Sequence, residues 1–188
     1  MPVPLVVLLV AGSAYLGSLL GPGVRASFVS SNTATTGSLT FARLTGSFAT
    51  GTDDLGAAGG VGGASYAMTV TALALGTSTH RFTTLTNTGS VTASFTGTVV
   101  PTGATGTMNV AVDSCSQAWA AGACGGATTS LRSAVSLSGS PPVTYGSIAV
   151  NAAKFLRYTF TSTSALASAV ATAAAIPTGT GTGDRTAG

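Results

Sequence analysis

The amino-acid sequence predicts an all-β protein, a jelly-roll or two-sheet β-sandwich of short strands and Gly-rich loops, behind an N-terminal apolar signal helix. Three observations carry that prediction. The clearest is the strict alternation after the turn signal Asn87-Thr88-Gly89. Val91, Ala93, Phe95 and Val99 fall on one face, and Thr92, Ser94, Thr96 and Thr98 on the other. A period of two in β-branched and aromatic residues is the pattern of a half-buried strand. The second is composition: 26 of 188 residues are Gly and only 6% are charged, against about 25% in ordinary soluble domains. Such a chain, also rich in Thr, Ser and Ala, is a poor helix former and a good former of strands and turns. The third is punctuation. Gly and Pro recur between apolar runs, which divides the chain into about seven to nine short strands of the kind that build sandwiches and jelly rolls.

Taken in order, residues 1–20 carry no charged side chain, Gly21-Pro22-Gly23 ends the run, and Val24-Arg25-Ala26 follows. That is the layout of a signal peptide cleaved between Ala26 and Ser27. A retained membrane anchor is the other reading, since about 20 apolar residues can just span a bilayer. A weak strand is expected near 27–33 and a firm one over 38–48. The Gly-rich stretch 51–63 reads as a long loop. Residues 64–75 alternate again, with Tyr66, Met68, Val70, Ala72 and Ala74 on one face. Gly76 to Thr79 turns the chain into a short strand at 80–85, and the run at 91–99 follows. Pro101 to Gly106 reads as a turn. Thr107 to Asp113 is a strand with Met108, Val110 and Val112 inward.

Residues 114–130 form a loop bracketed by Cys115 and Cys124. Strands are expected over 131–137, 144–150 and 155–161. Residues 164–176 form the one helix-like window by propensity, with Leu166, Ala169 and Val170 on a common face. A strand over 169–176 is the alternative. The sandwich domain is thus expected over 27–176, with 177–188 as a Thr/Gly-rich tail.

The chemistry is mostly one of absences. The chain has one His, four Asp and no Glu. A zinc peptidase helix needs two His with a Glu base, so that motif is excluded. Glycoside hydrolysis needs two carboxyl groups flanking one bond, and outside the tail only Asp53, Asp54 and Asp113 are available. His80, Asp113 and one of the many Ser residues could formally compose a triad, but no Gly-x-Ser-x-Gly elbow accompanies them. The sequence therefore implies no enzyme and no cofactor. The seven Lys and Arg residues are spread along the chain, without the basic stripe that nucleic-acid binding requires. Asp53-Asp54 in a Gly-rich loop are the candidate cation ligands, although two adjacent carboxylates fall short of the six or more oxygens Ca²⁺ takes.

Cys115 and Cys124 are the only cysteines. In an exported chain the pair favours a structural disulfide over a redox motif, which prefers Cys-x-x-Cys. Trp119 lies between them and is expected to pack down over the sandwich. An exposed, sugar-stacking role for Trp119, Tyr66 and Tyr145 in loops is the rival reading, that of a monomeric surface adhesin or carbohydrate-binding module.

After Ala26 the chain reads Ser27-Phe-Val-Ser-Ser-Asn-Thr-Ala-Thr-Thr-Gly-Ser-Leu-Thr40, and mid-chain it reads Leu85-Thr-Asn-Thr-Gly-Ser-Val-Thr-Ala-Ser-Phe95. This arrangement resembles the TasA/camelysin family of exported Gram-positive biofilm-matrix and fibre proteins. The matching positions are Phe28, Asn32, Thr33, Gly37, Leu39, Asn87 and Gly89. The resemblance implies a secreted jelly-roll subunit that polymerises with itself, with other matrix proteins or cell-wall glycans as further partners and with membrane contact only through the uncleaved precursor. It also implies that the segment 27–36 of one subunit, with Ser27, Phe28, Val29, Asn32 and Thr33, is a donor strand completing its neighbour's sheet. This chain departs from the family in its scarcity of Lys, Asp and Glu. Camelysins have been described as proteases, and an activity of that kind does not carry over to a chain with one His and no Glu.

Overall fold

The computed structural model describes residues 42–178. The signal segment, its cleavage point at Ala26–Ser27 and the donor residues Ser27, Phe28, Val29, Asn32 and Thr33 lie outside the described residues, as does the tail from 179 onward.

The described chain is all-β and antiparallel. Its strands are β1 (Gly46–Phe48), β2 (Gly51–Asp53), β3 (Ala58–Val61), β4 (Ser65–Leu73), β5 (Ser78–Asn87), β6 (Ala93–Thr105) and β7 (Met108–Cys115). They continue with β8 (Trp119–Ala120), β9 (Ala123–Cys124), β10 (Thr128–Ser136), β11 (Pro142–Ile148), β12 (Ala153–Ser162), β13 (Ala167–Ala174) and β14 (Ile176–Thr178). One sheet path runs β10-β7-β12-β5-β2-β3-β4-β13-β6-β11. β1 lies beside β5 just ahead of β2, so the two form one bulged strand. β14 continues the β13 ladder along β6.

The path folds back on itself. One layer holds β10, β7, β12, β5 and β1/β2. The facing layer holds β3, β4, β13/β14, β6 and β11. The β2–β3 hairpin joins the layers on one side. On the other side β10 and β11 approach each other around the 3-10 turn Leu137–Gly139 without forming a ladder. The result is sandwich-like, an almost closed barrel with one seam.

The alternation in the sequence decides which side chains enter the core. Tyr66, Met68 and Val70 from β4, Phe95 and Val99 from β6, Met108, Val110 and Val112 from β7, and Leu156, Tyr158 and Phe160 from β12 are all buried. Tyrosine hydroxyls tie the layers together. The Tyr66 hydroxyl of β4 donates to the Phe82 carbonyl of β5 at 3.2 Å. Tyr145 of β11 donates to the Ala174 carbonyl, and its oxygen lies 3.0 Å from the Tyr158 hydroxyl of β12.

Several expectations are corrected. The stretch 51–63 is not a long loop: it contains β2 and β3. Its glycines permit close strand crossing, since a Cβ at Gly59, Gly60 or Gly62 would run into the backbone of Thr52, Ala67 or Ala49. Pro101–Gly106 is not a turn: β6 runs through Pro101, which sits at a register shift opposite Ala171, and the turn waits for Gly106 at φ +75°. Proline is tolerated in a sheet at such a shift.

The helix-like window is a strand, in agreement with the alternative reading. Ala167, Ala169, Ala171 and Ala173 all face the core, while Leu166 is exposed at φ +52°. Alanine's helix propensity is worth only tenths of a kcal/mol per residue, and a two-sided strand ladder overrides it. Finally, Pro177 and Thr178 belong to β14 rather than to a tail. In the region expected as a firm strand over 38–48, strand pairing begins at Gly46 among the described residues. In β4 the alternation stops at Ala72, which is exposed at φ +50°.

Candidate functional site

The outer face of the β5–β12–β7 layer carries the most concentrated side-chain chemistry. Register places Thr52, Phe82, Arg157, Asp113 and Ser130 in one row across β2, β5, β12, β7 and β10. An Arg157 Nη donates to an Asp113 carboxylate oxygen at 2.8 Å. The disulfide Cys115–Cys124, with Cα atoms 5.8 Å apart, clips the following loop onto this row. Within the loop, β8 and β9 form a small hairpin that pairs Trp119 with Cys124. Trp119 lies over the row. Its ring centroid is 5.8 Å from that of Phe82, and the Arg157 guanidinium carbon sits 4.4 Å from its centroid. A cation over an indole face is attracted by the ring quadrupole. The expected disulfide and the expected packing of Trp119 over the sandwich are therefore both present.

Beside Trp119 a groove of about 260 Å³ is lined by Thr52, Asp53, Asp54, Leu55, Phe82 and Gly122, among others. Its two carboxylates are already engaged. Asp53 Oδ1 accepts the backbone N–H groups of Leu55 and Ala57, both at 2.9 Å, which closes the β2–β3 turn. Asp54 accepts the His80 N–H at 2.8 Å and the Thr79 hydroxyl at 3.2 Å, and lies 2.6 Å from His80 Nδ1. Burial pushes the Asp54 carboxyl up, but the bonds from the His80 backbone and ring, the charge of His80 and the Thr79 hydroxyl outweigh it and hold the group below its ordinary value. Among the described residues no cluster of three or more His, Cys, Asp or Glu could hold a metal ion.

These polar groups act as strand caps. β2 ends at Asp53, and the next β5 donor, His80 N–H, goes to Asp54 instead of a strand. On the opposite side of the fork, Arg81 Nε and Nη2 donate to the Thr69 carbonyl of β4 at 3.1 and 2.6 Å. Lys154 Nζ donates to the Tyr145 carbonyl of β11. The formal triad of the sequence is not assembled: His80 meets Asp54, while Asp113 meets Arg157. Tyr66 and Tyr145 are not loop residues open to a glycan. Both are fully buried, on β4 and β11. Burial pushes Tyr66 up to about 12, with Arg81 acting against it. Burial likewise pushes Tyr145 up to about 12, against the lowering bond with Tyr158, and raises Tyr158 well above its ordinary value.

The seam between β10 and β11 is the other candidate. Each of these strands is paired on one side only among the described residues. Register shifts in β10 leave Leu131, Ser133 and Ala134 without Cα partners on β7. An open furrow of about 420 Å³ runs along Leu131–Val135. β11 begins at Pro142, which lacks an N–H, and shifts register between Thr144 and Gly146.

Sequence reasoning found Trp119, the cysteines and Asn87. It missed Arg157, Arg81 and Lys154, whose partners are 44, 12 and 9 residues away. Only the phase of Arg157 in β12, opposite Tyr158, marked it as outward-facing. No family model, curated protein or solved structure matches this chain.

Proposed function

We propose that this chain is a secreted structural subunit of an extracellular or cell-surface fibre or biofilm matrix, with a jelly-roll type of sandwich that assembles by strand addition through its segment 27–36. The observation that carries the reading is the seam: the sheet path closes almost fully, and each of its two end strands is paired on one side only among the described residues. A strand supplied by a neighbour would pair with such an edge through backbone hydrogen bonds. The bulges in β10 and β11 discourage casual flat pairing, so an added strand must match their register. The disulfide fits an oxidising compartment. The acidic groups and the single His of the described chain serve as caps and clips, which leaves the structural reading ahead of a catalytic one. The likeness of residues 27–40 and 85–95 to exported matrix proteins supports the same conclusion.

Deleting residues 27–36 and imaging the secreted protein by electron microscopy tests the proposal. Loss of fibres with retention of the folded sandwich is expected. Fibres of unchanged form would remove strand addition as the mode of assembly. The adhesin reading keeps one supporting observation, the groove beside Trp119. A glycan array with Trp119→Ala as control separates it, since sugar binding lost in that variant would favour the adhesin.

A further inference from the structure

The outer face of the β3-β4-β13/β14-β6-β11 layer is unlike the rest of the surface. None of these strands contains an Asp, Glu, Lys, Arg or His. Register sets Val61, Ala67, Thr172 and Val100 in one row across β3, β4, β13 and β6. Val170 and Ile176 lie on the same face, two and four residues either side of Thr172. Val61 is 69% exposed, Val170 42%, Ile176 60% and Val100 38%. Among the described residues no loop covers this row in the way the disulfide-clipped loop covers the opposite face. Soluble surfaces ordinarily carry about 25–35% charged residues, so five adjacent strand positions without one make a distinct patch.

We infer that this face docks on the same face of a second copy of the chain, sheet against sheet. Charge and area select that occupant. A partner with charges at its contact surface would bury them opposite Val, Ala and Thr with nothing to pair them, and the lost hydration would go uncompensated. A second copy brings a face equally free of charge, with no like-charge repulsion. Five strand positions about 4.8 Å apart, over roughly eight residues of strand length, give about 600 Å² per copy and about 1,200 Å² in total. That reaches the range of specific interfaces. Stacked sheets of this kind pack about 10 Å apart with strands inclined by about 30°. β-Branched Val, Ile and Thr stand upright on a pleated surface and can interdigitate across the gap. This contact uses the sheet face rather than the seam, so it does not depend on strand addition.

Sedimentation equilibrium on the full chain, and on the chain lacking residues 27–36, tests the inference. The strands of the described sandwich all lie in the compact unit that begins at Thr40, so the deletion leaves the docking face intact. The shortened chain is expected at twice its monomer mass at about 10 μM. Val170→Lys and Val100→Lys should each weaken that dimer at least tenfold with unchanged circular dichroism and melting. Leu55→Lys, on the loop between β2 and β3, should leave it as it was. Monomer mass for the unsubstituted chain up to about 100 μM would overturn the inference, as would a dimer indifferent to both face substitutions. Retention of a monomeric chain on an uncharged polysaccharide such as cellulose, lost in Val170→Lys, would overturn it in favour of a glycan surface. Fibres made by the shortened chain would instead count against strand addition, so the two readings fail separately.

Discussion

The two layers of this molecule solve the same problem with different residues. Among the described residues, the β10-β7-β12-β5-β1/β2 layer and the loops next to it hold every charged side chain, and the facing layer holds none. In the first layer charge does local work at strand ends and under the clipped loop. Asp54 caps the His80 N–H, Arg157 bridges Asp113 beneath Trp119, and Arg81 and Lys154 reach across to carbonyls of β4 and β11. The second layer depends on small residues and close approach, with Ala167, Ala169, Ala171 and Ala173 lining its inner face. A polar clip tolerates exposure to water because its strength is partly screened there. A close approach tolerates no added atom, because interiors are packed as densely as organic crystals. The layers should therefore fail under different insults.

The largest effect is expected where the layers are joined. Tyr66 and Tyr145 are buried as neutral phenols, with values raised to about 12 from the ordinary 10. A raised value stabilises the protonated form in the folded state. That stability is complete below pH 10 and is lost as pH rises through 12. Each group should cost about 2 kcal/mol by pH 12, so the melting temperature should fall steeply from pH 10 to 12. Tyrosinate absorbance should lag in the folded protein and rise together with unfolding. Early, independent ionisation of these tyrosines would show the layers to be less closely joined.

Next comes the uncharged layer. A Cβ at Gly97 in β6 would run into the Ala174 carbonyl oxygen. Gly97→Ala is expected to destabilise the protein by about 3 kcal/mol, since over-packing forces backbone shifts, as read by urea unfolding. Gly139→Ala, where a Cβ meets open space, serves as the neutral control.

Reducing the Cys115–Cys124 bond, whose cysteines are nine positions apart, should cost about 2–3 kcal/mol. It should also release Trp119 from Phe82 and Arg157, read as a red shift of the single tryptophan's fluorescence. The uncharged layer should keep its hydrogen-exchange protection meanwhile. Equal loss in both layers would mean that the clip supports the whole barrel rather than one face.

The smallest effect belongs to Asp54. Its carboxyl is held below the ordinary value, so its contribution is present above that value and is lost as pH falls through the folded one. Because the pair with His80 is partly exposed, solvent screens it. Asp54→Asn should flatten the acid limb of the stability profile slightly and leave pH 7 nearly unchanged. A large loss at pH 7 would mean that the fork between β4 and β5 depends on this cap.

Much of the fold was legible because alternation survives a biased composition. Tyr66, Met68, Phe95, Val110, Leu156 and Tyr158 were assignable to the core from period alone, and all are buried. Asn87-Thr88-Gly89 was legible as a turn, and the reason is chemical. Asn87 Oδ1 accepts the Gly89 N–H at 2.9 Å, and Nδ2 donates to the Val91 and Ile148 carbonyls. A short amide that hydrogen-bonds the backbone two residues on is a local property, readable wherever it occurs. The two cysteines were legible as a clip for a similar reason, since they are the chain's only pair and lie nine positions apart.

What stayed hidden was non-local. Runs of Ala and Gly carry almost no periodic signal, because a methyl group or a hydrogen looks alike on either face. Only the partner strands made Ala167–Ala174 a strand and Gly59–Gly62 a crossing point. Likewise, only the pairing order separated the charged strands from the uncharged ones, which are interleaved along the chain. Sequence alone determined the strand class, the core phase, the turn at Asn87 and the disulfide, because each depends on residues near one another in the chain. Tertiary structure decided the seam, the caps and the bare face, because backbone hydrogen bonds between distant strands set which edges meet and which surface is left uncovered.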